Sequence, residues 1–198
     1  MANIAISGDT SGAITLSAPA VSGSNVQTLA AVSGTLAPIV SGTAVTASGT
    51  SVDFTGIPSW AKRVTVMFSG VSTSGTSPIQ VQLGTGATPT FATSGYSSSG
   101  AVTNTGALNT VSSTAAFQLE ATASTVAAAS ARNGSALISN LSGNTWVEQG
   151  SHNVSGAGNA VAFSGGAITL AAALTAIRIT TVNGTDTFDA GSINIMYE

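Results

Sequence analysis

The chain of 198 residues contains no cysteine, one histidine, four basic residues and seven acidic residues. The absence of cysteine excludes disulfide scaffolds, thiolate metal sites and cysteine nucleophiles. A chain with four basic residues and a formal net charge of −3 cannot neutralise a run of phosphates, which excludes nucleic-acid binding. Charged residues make up 6 % of the chain, against about 25 % in ordinary soluble domains, so hydroxyl and amide groups must hydrate the surface.

Long hydrophobic runs are also absent. No stretch approaches the ~18 consecutive apolar residues of a membrane-spanning helix, so we expect no insertion into a membrane. The first residues, MANIAIS, lack a basic region followed by a long apolar one, so we expect no secretory signal. Intrinsic disorder of the usual kind requires high charge, which this chain does not have.

The residues that are abundant favour strands over helices. Thr and Val pack well on a pleated surface, and Ser, Thr and Asn compete with a helix for backbone hydrogen bonds. Strand-length apolar runs alternate with breaks such as Ser-Gly and Asn-Gly. The composition therefore predicts an all-β fold: an N-terminal extended, intertwined β segment followed by an antiparallel, jelly-roll-like β-sandwich.

Two zones divide the chain near residue 50. Residues 1–50 carry one charge, Asp9, and no aromatic residue. Their few Leu and Ile side chains cannot form a hydrophobic core of their own. They form either a flexible linker or strands buried against other copies of the chain, and their regular apolar spacing favours the second interpretation. We therefore expect residues 1–50 to be an anchoring and oligomerisation segment. Residues 51–198 hold every aromatic residue, and we expect them to form the β-sandwich head.

Alternating apolar residues mark the predicted strands of the head. Asn183-Gly184 is the strongest hairpin signal, between residues 177–182 and the last strand. The only helix candidate is 121–131, where alanines favour a helix and Thr, Ser and Val oppose it. The residues with clear strand alternation are Val64, Val66 and Phe68; Ile79, Val81 and Leu83; and Phe117 and Leu119.

The sequence contains few residues that could catalyse a reaction or bind a metal ion. A Ser-His-Asp hydrolase would need His152, which lies in a segment with the composition of an exposed loop, and the chain has no Gly-x-Ser-x-Gly motif. Asn183, Asp186 and Asp189 offer few ligands for calcium, and turn chemistry explains Asn183-Gly184 and Asp186 without a metal. Glycoside hydrolysis would need two converging acids, and the sequence cannot place Glu120 near Glu148. We therefore assign no catalytic, cofactor-binding or metal-binding residue.

Three side chains are candidates for contact with a receptor: Tyr96, Trp146 and His152. Tyr96 lies in the most loop-like aromatic segment, and Trp146 stands among Asn, Thr and Glu, where an indole could stack on a sugar. For Trp146, core packing is the leading interpretation, ahead of sugar stacking, and a subunit interface is the remaining one. Trp60, which precedes a strong strand, is expected to plug the end of the sandwich or to lie in a subunit interface.

Three segments resemble recurring parts of tailed-bacteriophage fibre and other virion proteins. They are residues 56–72 (GIPSWAKRVTVMFSGVS), residues 177–195 (IRITTVNGTDTFDAGSINI) and the leader-like residues 7–16 (SGDTSGAITL). The resemblance implies a component of a virus particle, usually oligomeric and often a trimer. It transfers no catalytic motif.

Together these observations predict a non-enzymatic structural protein of a tailed-phage virion. The leading hypothesis is a short trimeric tail fibre in which residues 1–50 dock to other virion proteins and the head contacts the host surface, for which a glycan is the expected partner. A capsid decoration or head-fibre protein that stabilises the shell is the alternative, and a surface-polysaccharide hydrolase is the remote one. We expect synthesis in the host cytoplasm and localisation in the virion.

Overall fold

The computed structural model describes residues 3–7, 13–17, 38–104, 106–123, 126–156 and 159–198. These residues form strands, turns and loops without a helix, so none of them could cross a membrane as a helix. The chain divides into two compact units, residues 1–36 and residues 37–198. The strands in chain order are β1 (Asn3–Ser7), β2 (Ala13–Ser17), β3 (Val40–Ser41), β4 (Val45–Thr46), β5 (Ser51–Thr55), β6 (Arg63–Thr73), β7 (Ile79–Thr85), β8 (Thr90–Phe91), β9 (Ser97–Asn104), β10 (Ala107–Ser113), β11 (Phe117–Gln118), β12 (Ala131–Ser142), β13 (Thr145–Ser155), β14 (Ala160–Thr169), β15 (Leu174–Thr181) and β16 (Phe188–Tyr197).

In the first unit, β1 and β2 pair antiparallel, with Ile4 opposite Leu16 and Ile6 opposite Ile14. This register places apolar residues opposite one another at alternate positions. The expectation of an intertwined segment also covers residues 18–37, which lie outside the described residues, so intertwining between chains stays a prediction.

The second unit is an antiparallel β-sandwich, which confirms the predicted fold class. The larger sheet has the strand order β10-β9-β14-β13-β12-β6-β16-β3, and β4 also pairs with β16. The smaller sheet has the order β11-β7-β15-β5, and β8 also pairs with β7. Consecutive strands cross repeatedly between the two sheets, so both sheets are assembled from segments far apart in the chain.

The core lies between the two sheets and uses the predicted alternation. Val64, Val66 and Phe68 of β6 are buried, whereas Arg63 is exposed. The small sheet contributes the fully buried side chains of Ile79, Val81, Leu83, Phe117, Ile177 and Ile179. Each such side chain contributes about 1.5–3 kcal/mol to stability by leaving water.

The expected division at residue 50 falls inside the second unit. Residues of β3 and β4 pair with β16, Ala47 N–H donates to Gly191 O at 3.0 Å, and Phe188 N–H donates to Gly49 O at 2.8 Å. Ala47 is buried, so residues 38–49 complete the edge of the larger sheet. Their lack of aromatic and charged residues carries no sign of this pairing, so a boundary based on composition cannot distinguish them from a separate segment.

The Asn183-Gly184 segment is a turn, but the predicted hairpin is wrong. The strand before it, β15, belongs to the small sheet, and the strand after it, β16, belongs to the large sheet. The turn therefore carries the chain from one layer to the other. Asn183 Oδ1 accepts the N–H groups of Thr185 and Asp186, both at 3.0 Å, so local hydrogen bonds fix the turn whichever strands it joins.

Candidate functional site

The three candidate receptor contacts are buried, so that prediction is corrected. Tyr96, Trp146 and His152 are 3 %, 4 % and 4 % exposed. The Tyr96 hydroxyl accepts the N–H of Leu83 at 2.8 Å, and its ring meets that of Phe117 edge to face at 4.9 Å. Burial raises the pKa of Tyr96 to about 12. Trp146 packs in the hydrophobic core, which confirms the leading interpretation for this residue.

His152 lies within β13 and not in a loop. Gly150 is typical of a loop, but it lies within the strand, where a Cβ would lie 2.6 Å from Ser164 Oγ and 2.8 Å from Glu148 Oε1 and would have to displace these side-chain ends. The strand continues through residue 150, and the side chains at 146, 148, 152 and 154 all face the interior. The glycine accommodates neighbouring side chains and does not end the strand.

His152, Glu120 and Arg132 form a buried ionic cluster. Glu120 Oε2 lies 3.0 Å from His152 Nε2, and Arg132 Nε donates to Glu120 Oε1 at 2.8 Å. Glu120 Oε1 also accepts the N–H of Ile79 at 3.1 Å, and Arg132 Nη1 donates to Ser130 O at 3.0 Å. Glu120 and Arg132 are 0 % exposed. The cluster thus joins the two sheets through the interior.

Hydrogen bonds and charge decide the ionisation of Glu120. Burial alone raises the pKa of this carboxyl, but the hydrogen bond from His152 and the charge and hydrogen bonds of Arg132 outweigh it. The pKa of Glu120 therefore lies below its ordinary value, and the side chain is an anion compensated by Arg132. This paired state is what makes burial of the two charges tolerable.

Glu148 is a second buried acid with different surroundings. Its Oε1 accepts the Ser164 hydroxyl at 2.7 Å, and its Oε2 has no partner among the described residues. Burial raises the pKa of Glu148 to about 7, and the Ser164 hydrogen bond only partly opposes this. Glu120 and Glu148 therefore have separate partners and opposite pKa shifts.

Trp60 is 39 % exposed and lies outside the core cluster. Its ring packs against Tyr197 with centroids 5.6 Å apart. Nearby, Arg63 forms an ion pair with Glu198. An interface role for Trp60 stays a prediction, whereas a core position is excluded by its exposure.

The Asp186 carboxylate, for which the sequence favours turn chemistry over calcium, is occupied by protein donors. Asn183 Nδ2 donates to Asp186 Oδ1 at 2.8 Å, and the Ser77 N–H donates to Asp186 Oδ2 at 2.9 Å. These hydrogen bonds lower the pKa of Asp186. Within the described part of the chain, no cluster of three His, Asp or Glu side chains could hold a metal ion.

The best candidate for a binding site is a polar groove of about 320 Å³ beside the small sheet, hereafter the sheet groove. Its size is at the lower end of the ~300–1,000 Å³ typical of small-molecule sites. It is lined by Thr50, Ser51, Gln80, Gln82, Arg178, Thr180, Thr181, Val182, Asn183 and Gly184. Antiparallel register explains the convergence: Thr180 pairs with Ser51 on one side and Gln80 on the other.

Arg178 is held rigidly at the sheet groove. Its Nε and Nη2 donate to the two carboxylate oxygens of Asp53, at 2.8 and 2.7 Å. Its guanidinium carbon lies 4.1 Å from the centre of the Phe91 ring, which adds a cation–π contact. The hydrogen bonds to Asp53 raise the pKa of Arg178, so the guanidinium stays charged. This arrangement fixes the position of a charged donor group before any ligand arrives.

The two glutamine side chains leave hydrogen-bond acceptors at the sheet groove. Gln80 Nε2 donates to Thr181 O at 3.3 Å, and Gln82 Nε2 donates to Ala115 O at 3.4 Å. Their amide oxygens accept no hydrogen bond from the described residues, and neither oxygen is among the fully buried atoms without a partner. Gln80 and Gln82 are 6 % and 9 % exposed, so each oxygen can accept only from a ligand group that reaches into the groove.

Sequence reasoning missed the sheet groove, although part of its signal was visible. Gln80 and Gln82 alternate with apolar residues, and Arg178 and Thr180 do the same on β15. Such alternation is equally typical of a plain solvated strand face. Only the register of β5, β7 and β15 brings these positions into one surface. Comparisons with family models, curated proteins and solved structures find no match for the chain.

Proposed function

We propose that the protein is a non-enzymatic structural component of a tailed-phage virion, a short trimeric tail fibre whose β-sandwich head binds a glycan on the host surface. The observation that carries the binding function is the sheet groove. It combines amide and hydroxyl groups with the fixed Arg178–Asp53 pair on a rigid sheet. The resemblance of residues 56–72 and 177–195 to virion proteins supports the particle context.

Sugars suit the chemistry of the sheet groove. Their hydroxyl groups both donate and accept hydrogen bonds, and amide, hydroxyl and guanidinium groups complement them. A sheet positions such groups more accurately than a loop does, because neighbouring strands fix the backbone on both sides. The groove residues require no large rearrangement to present these groups, and this preorganisation reduces the entropic cost of binding.

The anchoring function that the sequence suggests for residues 1–50 is here assigned only to residues 1–36. Residues 38–49 are engaged with β16 and belong to the head unit. The remaining first unit carries Asp9 as its one charged residue and has no aromatic side chain. We expect it to gain its burial from sister chains and from the virion partner to which the fibre attaches.

The test compares two isosteric substitutions of glutamine. Gln82→Met removes an amide from the sheet groove while keeping the side-chain volume, and Gln149→Met makes the same change at an exposed position of β13 in the other sheet. Full-length proteins are measured for binding to host cells, with circular dichroism and thermal melts as checks of folding. We expect loss of binding for Gln82→Met alone. Equal binding by both variants and the wild type would contradict the proposal.

One observation favours the second candidate, a capsid decoration or head-fibre protein. On the larger sheet, Leu108 and Val161 are 62 % and 50 % exposed and lie on either side of Thr103 in register. Phe163, 43 % exposed, lies on the same strand as Val161. Exposed apolar side chains in proximity suit contact with another protein. Labelling the protein in intact particles distinguishes the two: a capsid position with no host binding supports this candidate.

A further inference from the structure

We infer that the sheet groove selects uncharged, hydroxyl-rich sugars and discriminates against sugars that carry carboxylate, sulfate or phosphate groups. This inference rests on the proposed glycan-binding function and adds the class of glycan. It follows from two independent features of the groove: the balance of its hydrogen-bond donors and acceptors, and the balance of its charges.

The hydrogen-bonding groups of the groove call for a ligand that both donates and accepts. The amide oxygens of Gln80 and Gln82 are acceptors, and each amide nitrogen uses one N–H on a backbone carbonyl and keeps the other. The Thr180 hydroxyl donates to Thr50 O at 2.8 Å. A neutral sugar brings several O–H donors to these oxygens. A carboxylate, sulfate or phosphate group brings mainly acceptors and leaves the amide oxygens unpaired, which is unfavourable.

The charges of the groove also oppose an anion. Arg178 is the one charged residue in its lining, and both carboxylate oxygens of Asp53 already neutralise it. An anionic ligand would have to compete with Asp53 for the guanidinium. Because Arg178 is paired with Asp53, the lining offers no uncompensated charge to an anionic or a cationic sugar, and the uncharged ligand is favoured.

The remaining surface of the groove suits the carbon face of a sugar. Val182 is 46 % exposed and lines the groove, so it offers an apolar contact for C–H groups. The volume of about 320 Å³ suits a short glycan segment rather than a long chain enclosed along its length. The ligand class is therefore a short, neutral glycan segment with hydroxyls facing Gln80 and Gln82.

The experiment uses full-length protein on an array of bacterial oligosaccharides that includes neutral members and matched members with uronic acid, sulfate or phosphate. We expect binding to neutral members, with little change between about 0.05 M and about 0.5 M salt, because no ion pair forms with the ligand. Binding of acidic members as tightly as neutral ones, weakened by salt, would overturn the inference and leave the proposed function standing. Binding of no glycan by a folded protein, together with no attachment to host cells, would overturn both.

Two charge variants test whether the Arg178–Asp53 pair is what excludes anionic glycans. Asp53→Asn removes the carboxylate that competes for Arg178, so acidic glycans should gain about tenfold in affinity, the size of one charge-assisted hydrogen bond. Glu198→Gln is the control, because it removes one negative charge from another exposed arginine pair, that of Arg63. Thermal melts establish that both variants fold. An equal gain in both would indicate a general effect of net charge, and no gain in Asp53→Asn would show that the pair does not exclude anions. Either result overturns the inference.

Discussion

Glu120 and His152 lie 3.0 Å apart in the interior of the sandwich, although 32 positions separate them in the chain. Glu120 follows β11 of the small sheet, and His152 belongs to β13 of the large sheet. Arg132 completes the cluster from the first residues of β12. The cluster therefore acts as a polar connection between two layers that otherwise meet through apolar side chains.

The first prediction concerns this connection. Glu120→Gln leaves the fully buried Arg132 without its compensating charge, so we expect a loss of about 3–5 kcal/mol in the free energy of unfolding. Glu198→Gln is the matched control in the exposed Arg63 pair and should cost less than about 1 kcal/mol. Urea denaturation of both variants measures the difference. Similar losses in the two would mean that the buried cluster contributes no more than a surface pair.

The same cluster predicts acid sensitivity. The folded state holds the pKa of Glu120 below its ordinary value of 4.5, so its contribution to stability is present above about pH 4.5. That contribution is lost as the pH falls through the lowered pKa. Denaturation midpoints measured from neutral to acidic pH should fall more steeply for the wild type than for Glu120→Gln. Parallel curves would contradict this linkage.

Glu148 predicts the opposite dependence of stability on pH: its contribution is lost as the pH rises. Its pKa rises from 4.5 to about 7 on folding, so its favourable contribution is complete below about pH 4.5 and is lost as the pH rises through about 7. This pKa shift corresponds to about 3 kcal/mol in the free energy of unfolding. Glu148→Gln removes this titration, so the variant should gain stability relative to the wild type between pH 4.5 and pH 8. A constant difference across that range would contradict the assignment.

Alanine substitutions at Gly184 and Gly191 distinguish the cost of a positive φ from the cost of a steric clash. Gly184 has φ +68°, and no atom lies within 4 Å of the position that a Cβ would occupy, so Gly184→Ala should cost only the strain of a positive φ, about 1–2 kcal/mol. Gly191 has φ +85°, and a Cβ there would collide with the backbone of Gly70 and Val71. Gly191→Ala should therefore cost about 1–3 kcal/mol more. Thermal melts of the two variants test this difference. Equal losses of stability would show that β6 and β16 can move apart at little cost to accommodate the added methyl group.

Sequence alone predicts the strands whose apolar residues alternate, because a half-buried sheet imposes a period of two. Val64, Val66 and Phe68 are the clearest case. It cannot predict the sheet to which each strand belongs, since turn chemistry at Asn183 fixes the local backbone and not the partner strand. This is why the sequence predicts a hairpin where the structure has a turn between layers.

The site residues are harder to predict for a related reason. Gly150 and Gly134 permit close packing around β13, but a glycine in a polar segment has the same sequence signature as a loop. The prediction of a surface position for His152 is wrong for this reason. The sheet groove depends on Gln80, Arg178 and Ser51, which are distant in sequence and become neighbours only through strand register. Pairing of distant strands is the information that local pattern lacks.

The last prediction concerns assembly. Residues 1–36 form a separate unit with few large apolar side chains, so we expect its burial to come from sister chains. The native mass should therefore be three times the 19.1 kDa of one chain. Light scattering measures it, and hydrogen exchange should show that the amides of β1 and β2 lose protection on dilution while those of Val64 and Val66 keep theirs. A single-chain mass with β1 and β2 fully protected would refute the trimer, because the segment would then be stable without any partner.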